Sequence, residues 1–162
     1  MATISRILRS FLKNVHLQKR FYADAPPNEN QMKLTFAGAN KVFYDNVIVK
    51  QVDVPSFSGS FGVLPKHVPC LAVLKPGVVT VFEEKGDVKK IFVSSGTITI
   101  NQDSTIQVLA EEAHPIEALD KSACRDLLNK AQDQLSRASS EKDKAEAEIA
   151  LEVTKALEQA AL

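Results

Sequence analysis

The densest cluster of residues able to do chemistry is Gly59-Ser60-Phe61-Gly62-Val63-Leu64-Pro65-Lys66-His67-Val68-Pro69. Two glycines followed by a lysine suggest a phosphate cradle, in which backbone N–H groups and an ammonium hold an anion. A phosphate loop requires G-x-x-x-x-G-K-[ST], with the lysine on the phosphates and the hydroxyl on magnesium. Gly59 and Gly62 are too close for that pattern, and Gly-Lys-Ser/Thr occurs nowhere in the chain. The dinucleotide fingerprint G-x-G-x-x-G is absent too. What remains is a loop shaped by glycine freedom and proline rigidity around an apolar body, neither a helix nor a plain strand. His67 and His114 lie apart from each other and from Cys70 and Cys124, without metal-ligand spacing. Two distant cysteines read as free thiols in a reducing compartment. No nucleophile–base motif is present. The chain reads as a non-enzyme that takes no cofactor and no metal.

The elements that position this loop fall into two regimes. From Met32 to Ala110 the chain is rich in Val, Ile, Thr and Phe, cut by Gly, Pro, Asn and Asp. Met32–Phe36 alternates, and Val47–Val54 is β-branched. Val78–Phe82 and Ile91–Val93 flank Glu83-Glu84-Lys85-Gly86-Asp87, a hairpin turn. Gly96–Ile100 and Thr105–Leu109 flank Asn101-Gln102-Asp103-Ser104, a second one. Short strands with frequent turn signals predict an antiparallel β-sandwich or barrel over residues 32–114. Its expected core includes Phe36, Val52, Val54, Phe61, Val63, Leu64, Phe92, Val93 and Leu109.

Residues 115–162 switch to Ala, Leu, Lys, Glu, Asp and Gln, which favour helices and their caps. Asp120 is the expected first N-cap, and Ala123, Leu127, Leu128, Ala131 and Leu135 trace one face. Ser140 with Asp143 resembles a capping box before a second stripe of Ala145, Ile149, Val153, Ala156, Leu157 and Ala160. So short a connection predicts an antiparallel helical hairpin. Its stripes are alanine-heavy, whereas a buried Leu or Ile is worth roughly 1.5–3 kcal/mol. The hairpin therefore needs support from the β domain or a partner.

The N-terminus predicts a destination. Arg6, Arg9, Lys13, Lys19 and Arg20 precede the first acid, Asp24, on an amphipathic pattern of Ile4, Ile7, Leu8, Phe11, Leu12 and Val15. That reads as a mitochondrial transit peptide over residues 1–22. Cleavage is expected between Tyr22 and Ala23, followed by a flexible segment over 23–31. Residues 1–22 hold five of the 20 bases and none of the 20 acids, so the mature chain is mildly acidic. It shows no basic patch with interleaved aromatics, so no nucleic-acid partner is expected. Charges interrupt every stretch before the ~20 apolar residues that a bilayer helix needs. Membrane contact is expected only through partners.

Four segments carry a family resemblance. Gly59–Pro69 is similar to G-x-x-G-[IV]-L-x-x-H-x-P, and Leu74-Lys75-Pro76-Gly77, Phe92-Val93-Ser94-Ser95-Gly96 and Val108-Leu109-Ala110-Glu111-Glu112-Ala113 follow in order. With the helical hairpin behind them, they resemble the delta/epsilon subunit family of F-type ATP synthases over essentially the whole mature chain. The resemblance implies a flattened β-sandwich followed by two antiparallel helices, in a non-catalytic rotor part of the central stalk. The implied partners are the gamma subunit, the c-ring and the small epsilon subunit of mitochondria, on the matrix side of the inner membrane. It implies that Gly59, Ser60, Phe61, Gly62 and His67 form a loop facing the c-ring, with Ser60 at the tip where the family has an acid. A neutral serine offers the ring no charge pair. Some bacterial relatives bind ATP through [IL]-D-x-x-R-A. Here Leu119-Asp120-Lys121-Ser122-Ala123-Cys124 has alanine at the arginine position, so no nucleotide sensing is expected. A hairpin that brakes ATP hydrolysis is the alternative role.

Overall fold

The structure is a computed structural model that describes residues 31–162. The expected transit peptide, its cleavage point at Tyr22 and Ala23, and residues 23–30 lie outside the described residues.

Among the described residues, nine strands come first: β1 (Met32–Ala37), β2 (Val42–Ser56), β3 (Gly59–Val63), β4 (Cys70–Leu74), β5 (Gly77–Glu83), β6 (Val88–Val93), β7 (Gly96–Ile100), β8 (Thr105–Ala110) and β9 (Ala113–Pro115). A 3-10 turn (Ile116–Ala118) leads to helices α1 (Lys121–Arg137) and α2 (Glu141–Ala160). Strand order is β1-β8-β7-β4-β2-β5-β6-β9, with β3 beside β2 and β1 also on β2. The long β2 joins two layers. Its first half pairs with β1, and its second half with β5 and β3. A register shift between Val49 and Gln51 against β5 bends it between the two.

Among the described residues, every pairing is antiparallel except β1 on β8, which is parallel from Lys33 opposite Thr105 to Ala37 opposite Leu109. That departs from the all-antiparallel expectation. A parallel pair has no tight turn of its own, so no local signal announces it.

Alternation fills the core. Leu34, Phe36, Val52, Val54, Val63, Val79, Val81, Val93, Ile98 and Val108 are fully buried. Leu109, expected in the core, is 56 % exposed, because Val108 and Ala110 on either side of it point inward. Leu64 is exposed for the same reason, one residue beyond buried Val63. Phe61 is half-buried against the core. Phe92 is 3 % exposed yet lies outside the sandwich core, while its neighbours Ile91 and Val93 lie within it. It therefore points to the outer side and is covered there.

The helices begin where their caps predict. Asp120 Oδ1 accepts from the N–H groups of Ser122 and Ala123 at 2.8 and 3.3 Å. Ser140 Oγ accepts from Asp143 N–H at 3.0 Å. The packed face of α1 keeps Leu128, Ala131 and Leu135 of the expected stripe but has Cys124 in place of Ala123 and Leu127. Cys124 and Ala131 are buried and Leu128 and Leu135 half-buried, whereas Ala123 and Leu127 face outward. On α2, Ala147 is buried and Ala150 half-buried, while Ala145 and Ile149 are exposed. The fully buried helix residues are thus small ones, with Leu128, Leu135, Val153 and Leu157 half-buried and only Leu127 and Ile149 of the expected stripes' large aliphatics turned outward. The hairpin is not free-standing: α2 packs on β5 and the 3-10 turn on β6.

Candidate partner interface

The Gly59–Pro69 segment is not one loop. Gly59–Val63 is strand β3, paired from Gly59 opposite Ser56 to Val63 opposite Val52. The turn that closes this hairpin is Phe57-Ser58. Ser60 thus sits in the ladder opposite Pro55, exposed but behind the tip. Glycine and proline content suggested a loop, but β2 supplies a full ladder that overrides the weak local propensity.

Each member of the expected site has a local reason for its place. Ser56 is fully buried, and its Oγ donates to the Gly59 carbonyl at 2.6 Å. Ser58 Oγ lies 2.9 Å away and donates back to it. Gly59 takes φ +120° in open space, so it is there for its backbone angle rather than for crowding. Gly62 leaves room for the Asp53 side chain, whose Oδ1 would lie 2.7 Å from a Cβ and accepts from Gln51 Nε2 at 2.6 Å, a pair that would have to shift if a side chain were added. The Phe61 and His67 rings lie 6.1 Å apart at 30°, and His67 Nδ1 donates to the Val68 carbonyl at 2.8 Å. The structure therefore brings Phe61 and His67 together, and groups Gly59 and Ser60 with the turn instead. Beyond His67, Lys66 N–H donates to Ser104 Oγ at 3.2 Å. A cleft of about 390 Å³ lies there between residues 66–69 and 102–104.

A larger feature went unread in the sequence. On the outer face of β4, β7 and β8, Leu71 is 73 % and Val73 54 % exposed. Leu71 stands opposite Thr99 and Val73 opposite Thr97, which in turn faces Leu109. Together these residues form an apolar and hydroxyl-bearing patch without a charge. The missed signal was Cys70-Leu71-Ala72-Val73-Leu74, apolar at every position, as in a strand covered on both faces.

Tyr44 and Asp103 are shifted by their structural neighbours. Burial, then the hydrogen bond and charge of Glu83, push the Tyr44 phenol well above its ordinary value. Asp103 is held below the ordinary 3.8, first by the Thr105 hydroxyl and then by its N–H. Among the described residues, no group of three or more His, Cys, Asp or Glu could hold a metal ion. Among them, no helix is long and apolar enough to cross a membrane.

A mostly antiparallel sandwich carrying a two-helix tail and a bare apolar face is a form that can be compared. The family described as "ATP synthase, Delta/Epsilon chain, beta-sandwich domain" matches residues 31–116. A Caenorhabditis elegans protein named "ATP synthase subunit delta, mitochondrial" is 48% identical over 147 residues, covering 88% of this chain and 90% of the relative. This chain belongs to the ATP synthase delta/epsilon family. A Kluyveromyces lactis protein of the same name is 40% identical over 154 residues, covering 94% of each chain. Among solved structures, a chain of the Euglena gracilis mitochondrial ATP synthase OSCP/F1/c-ring assembly aligns with TM-score 0.75 and 27% identity, covering 81% of both chains. A chain of the Tetrahymena thermophila mitochondrial ATP synthase central stalk/c-ring aligns with TM-score 0.59 over 81% of this chain and 96% of its own. At 15% identity that second likeness concerns the fold alone. As a delta/epsilon chain, the protein is a subunit of an ATP synthase, and its curated relatives are mitochondrial.

Proposed function

We propose that this chain is a non-catalytic rotor subunit of the mitochondrial ATP synthase, joining the c-ring to the gamma subunit in the central stalk. The observation that carries this is the bare outer face around Leu71, Val73 and Leu109. An exposed apolar patch on a rigid sheet calls for a permanent partner. In this role the gamma subunit covers the face, and the turn end of β2 and β3 meets the c-ring. Outward-facing Leu127 and Ile149 give the small epsilon subunit a place on the hairpin. Torque transfer needs no single strong contact. It needs a joint that does not slip, and stable interfaces bury roughly 1,200–2,000 Å² in total.

The protein then sits on the matrix side of the inner membrane, held there by the complex after loss of residues 1–22 between Tyr22 and Ala23. ATP chemistry takes place on other subunits. Residues 32–114 form the sandwich that transmits torque and 115–162 the strut. The seating of α2 on β5 supports a strut rather than a brake. Crosslinking the hairpin to β5 is expected to leave control of ATP hydrolysis unchanged.

The test is co-purification from detergent-solubilised mitochondria. Gamma and the c-ring are expected to accompany the tagged full chain, and Leu71→Asp to release gamma. Recovery of the wild-type chain only as a free monomer would end the proposal.

A further inference from the structure

We propose that Phe57, rather than Ser60, is the residue that engages the c-ring, and that it does so as an apolar wedge. The inference rests on the rotor function above, which turns this end of the sandwich toward the ring.

The tip of the β2–β3 hairpin is Phe57-Ser58, and the Phe57 side chain is 69 % exposed. An aromatic ring in water on a floppy loop would carry little meaning. This turn is held from three directions. Buried Ser56 bonds across to the Gly59 carbonyl at 2.6 Å. Phe57 N–H donates to the Val73 carbonyl at 3.3 Å, and Lys75 N–H to the Pro55 carbonyl at 3.2 Å. The backbone under Phe57 is thus fixed before any partner arrives, which lowers the ordering cost of binding. Residues 56–62, Ser-Phe-Ser-Gly-Ser-Phe-Gly, carry no charge. The tip residues themselves therefore offer no charge, Lys75 on the adjoining turn being the cation beside them, and their largest asset is apolar ring area.

A ring of identical subunits repeats the same furrow between each pair of neighbours. A flat contact on such a surface slides from one repeat to the next. A rigid aromatic seated in one furrow resists that sliding, which is what a torque joint requires. Ser60, set back in the ladder opposite Pro55, can reach such a surface only as a flanking contact.

The test places a photoreactive benzoylphenylalanine at position 57, 60 or 71 of the full chain in the assembled synthase. Position 57 is expected to attach to c subunits with at least five-fold higher yield than position 60. Equal or higher yield at 60, or attachment of 57 to gamma, overturns the proposal. Position 71 is the control: attachment to gamma there keeps the rotor function intact even if 57 fails, and loss at all three positions counts against both. In parallel, Phe57→Ser is expected to lower several-fold the fraction of ATP hydrolysis coupled to proton pumping. Phe57→Leu is expected to retain most of it. Unchanged coupling in Phe57→Ser also overturns the proposal. Co-purification of that variant with gamma reports that it has folded.

Discussion

The two outer faces of the sandwich are built from similar strands and meet opposite fates. On β5 and β6, Val78, Thr80 and Phe82 are half-buried and Phe92 is 3 % exposed, because the 3-10 turn and α2 lie over them. On β4, β7 and β8, Leu71, Val73 and Leu109 stand more than half exposed, with Thr97 and Thr99 between them. One face is closed by the chain's own C-terminal helices. The other is left bare among the described residues. A strand sequence that is apolar on both sides does not distinguish these outcomes. Among the described residues, the reach of the helical tail decides which face is covered.

Substitutions on the two faces should separate stability from assembly. The largest effect is expected at Phe92→Ala, which removes a ring from the closed face. About 3–5 kcal/mol of unfolding free energy should be lost, measured by urea titration of the full chain. Leu71→Asp on the open face should change that stability by no more than about 0.5 kcal/mol. The same variant should weaken gamma binding by about 2 kcal/mol or more, read as loss of gamma in pull-downs. Equal destabilisation at both positions would erase the distinction between the faces.

Two smaller effects sharpen it. Ser140→Ala removes the α2 cap and should cost about 1 kcal/mol, seen as lower thermal stability of the helical signal. If α2 is what closes the β5–β6 face, hydrogen exchange of the Phe92 amide should quicken in that variant. The smallest effect concerns Asp103 beside the cleft. Its folded pKa is depressed, so its stabilising contribution is present above the unfolded value of 3.8 and is lost as pH falls through the lower folded value. Thr105→Val removes the largest cause of that depression. NMR titration should then show the Asp103 carboxyl moving back toward 3.8.

The parts of this molecule readable from sequence are those whose signals are local. The turns at Glu83–Asp87 and Asn101–Ser104 were legible because glycine or an Asn/Asp/Ser cluster marks them, and they close as expected, with Gly86 at φ +98° and Ser104 at φ +61°. The caps at Asp120 and Ser140 were legible for the same reason. Strand β3 was not, since its glycines serve spacing against Asp53 and a single unusual backbone angle rather than a loop. The departure at the start of the α1 face was hidden by cysteine: Cys124 packs as a small apolar residue where Ala123 and Leu127 seemed the natural choice, while Leu128, Ala131 and Leu135 pack as expected. The tip residue Phe57 was missed because position within a family motif pointed to Ser60, and only the pairing register shows which residues turn the corner.

The parallel contact between β1 and β8 also sets an order of events in time. A chain that emerges N-terminus first, from a ribosome or an import pore, presents Met32–Ala37 early and Thr105–Ala110 only after most of the sandwich has appeared. β1 and β2 can zip at once across a short turn, but the other edge of β1 stays an unpaired strand for the interval between. Closing so distant a pair is entropically slow. During that wait the exposed edge is a template for pairing with another chain. The parallel pair can therefore form only once β8 has emerged.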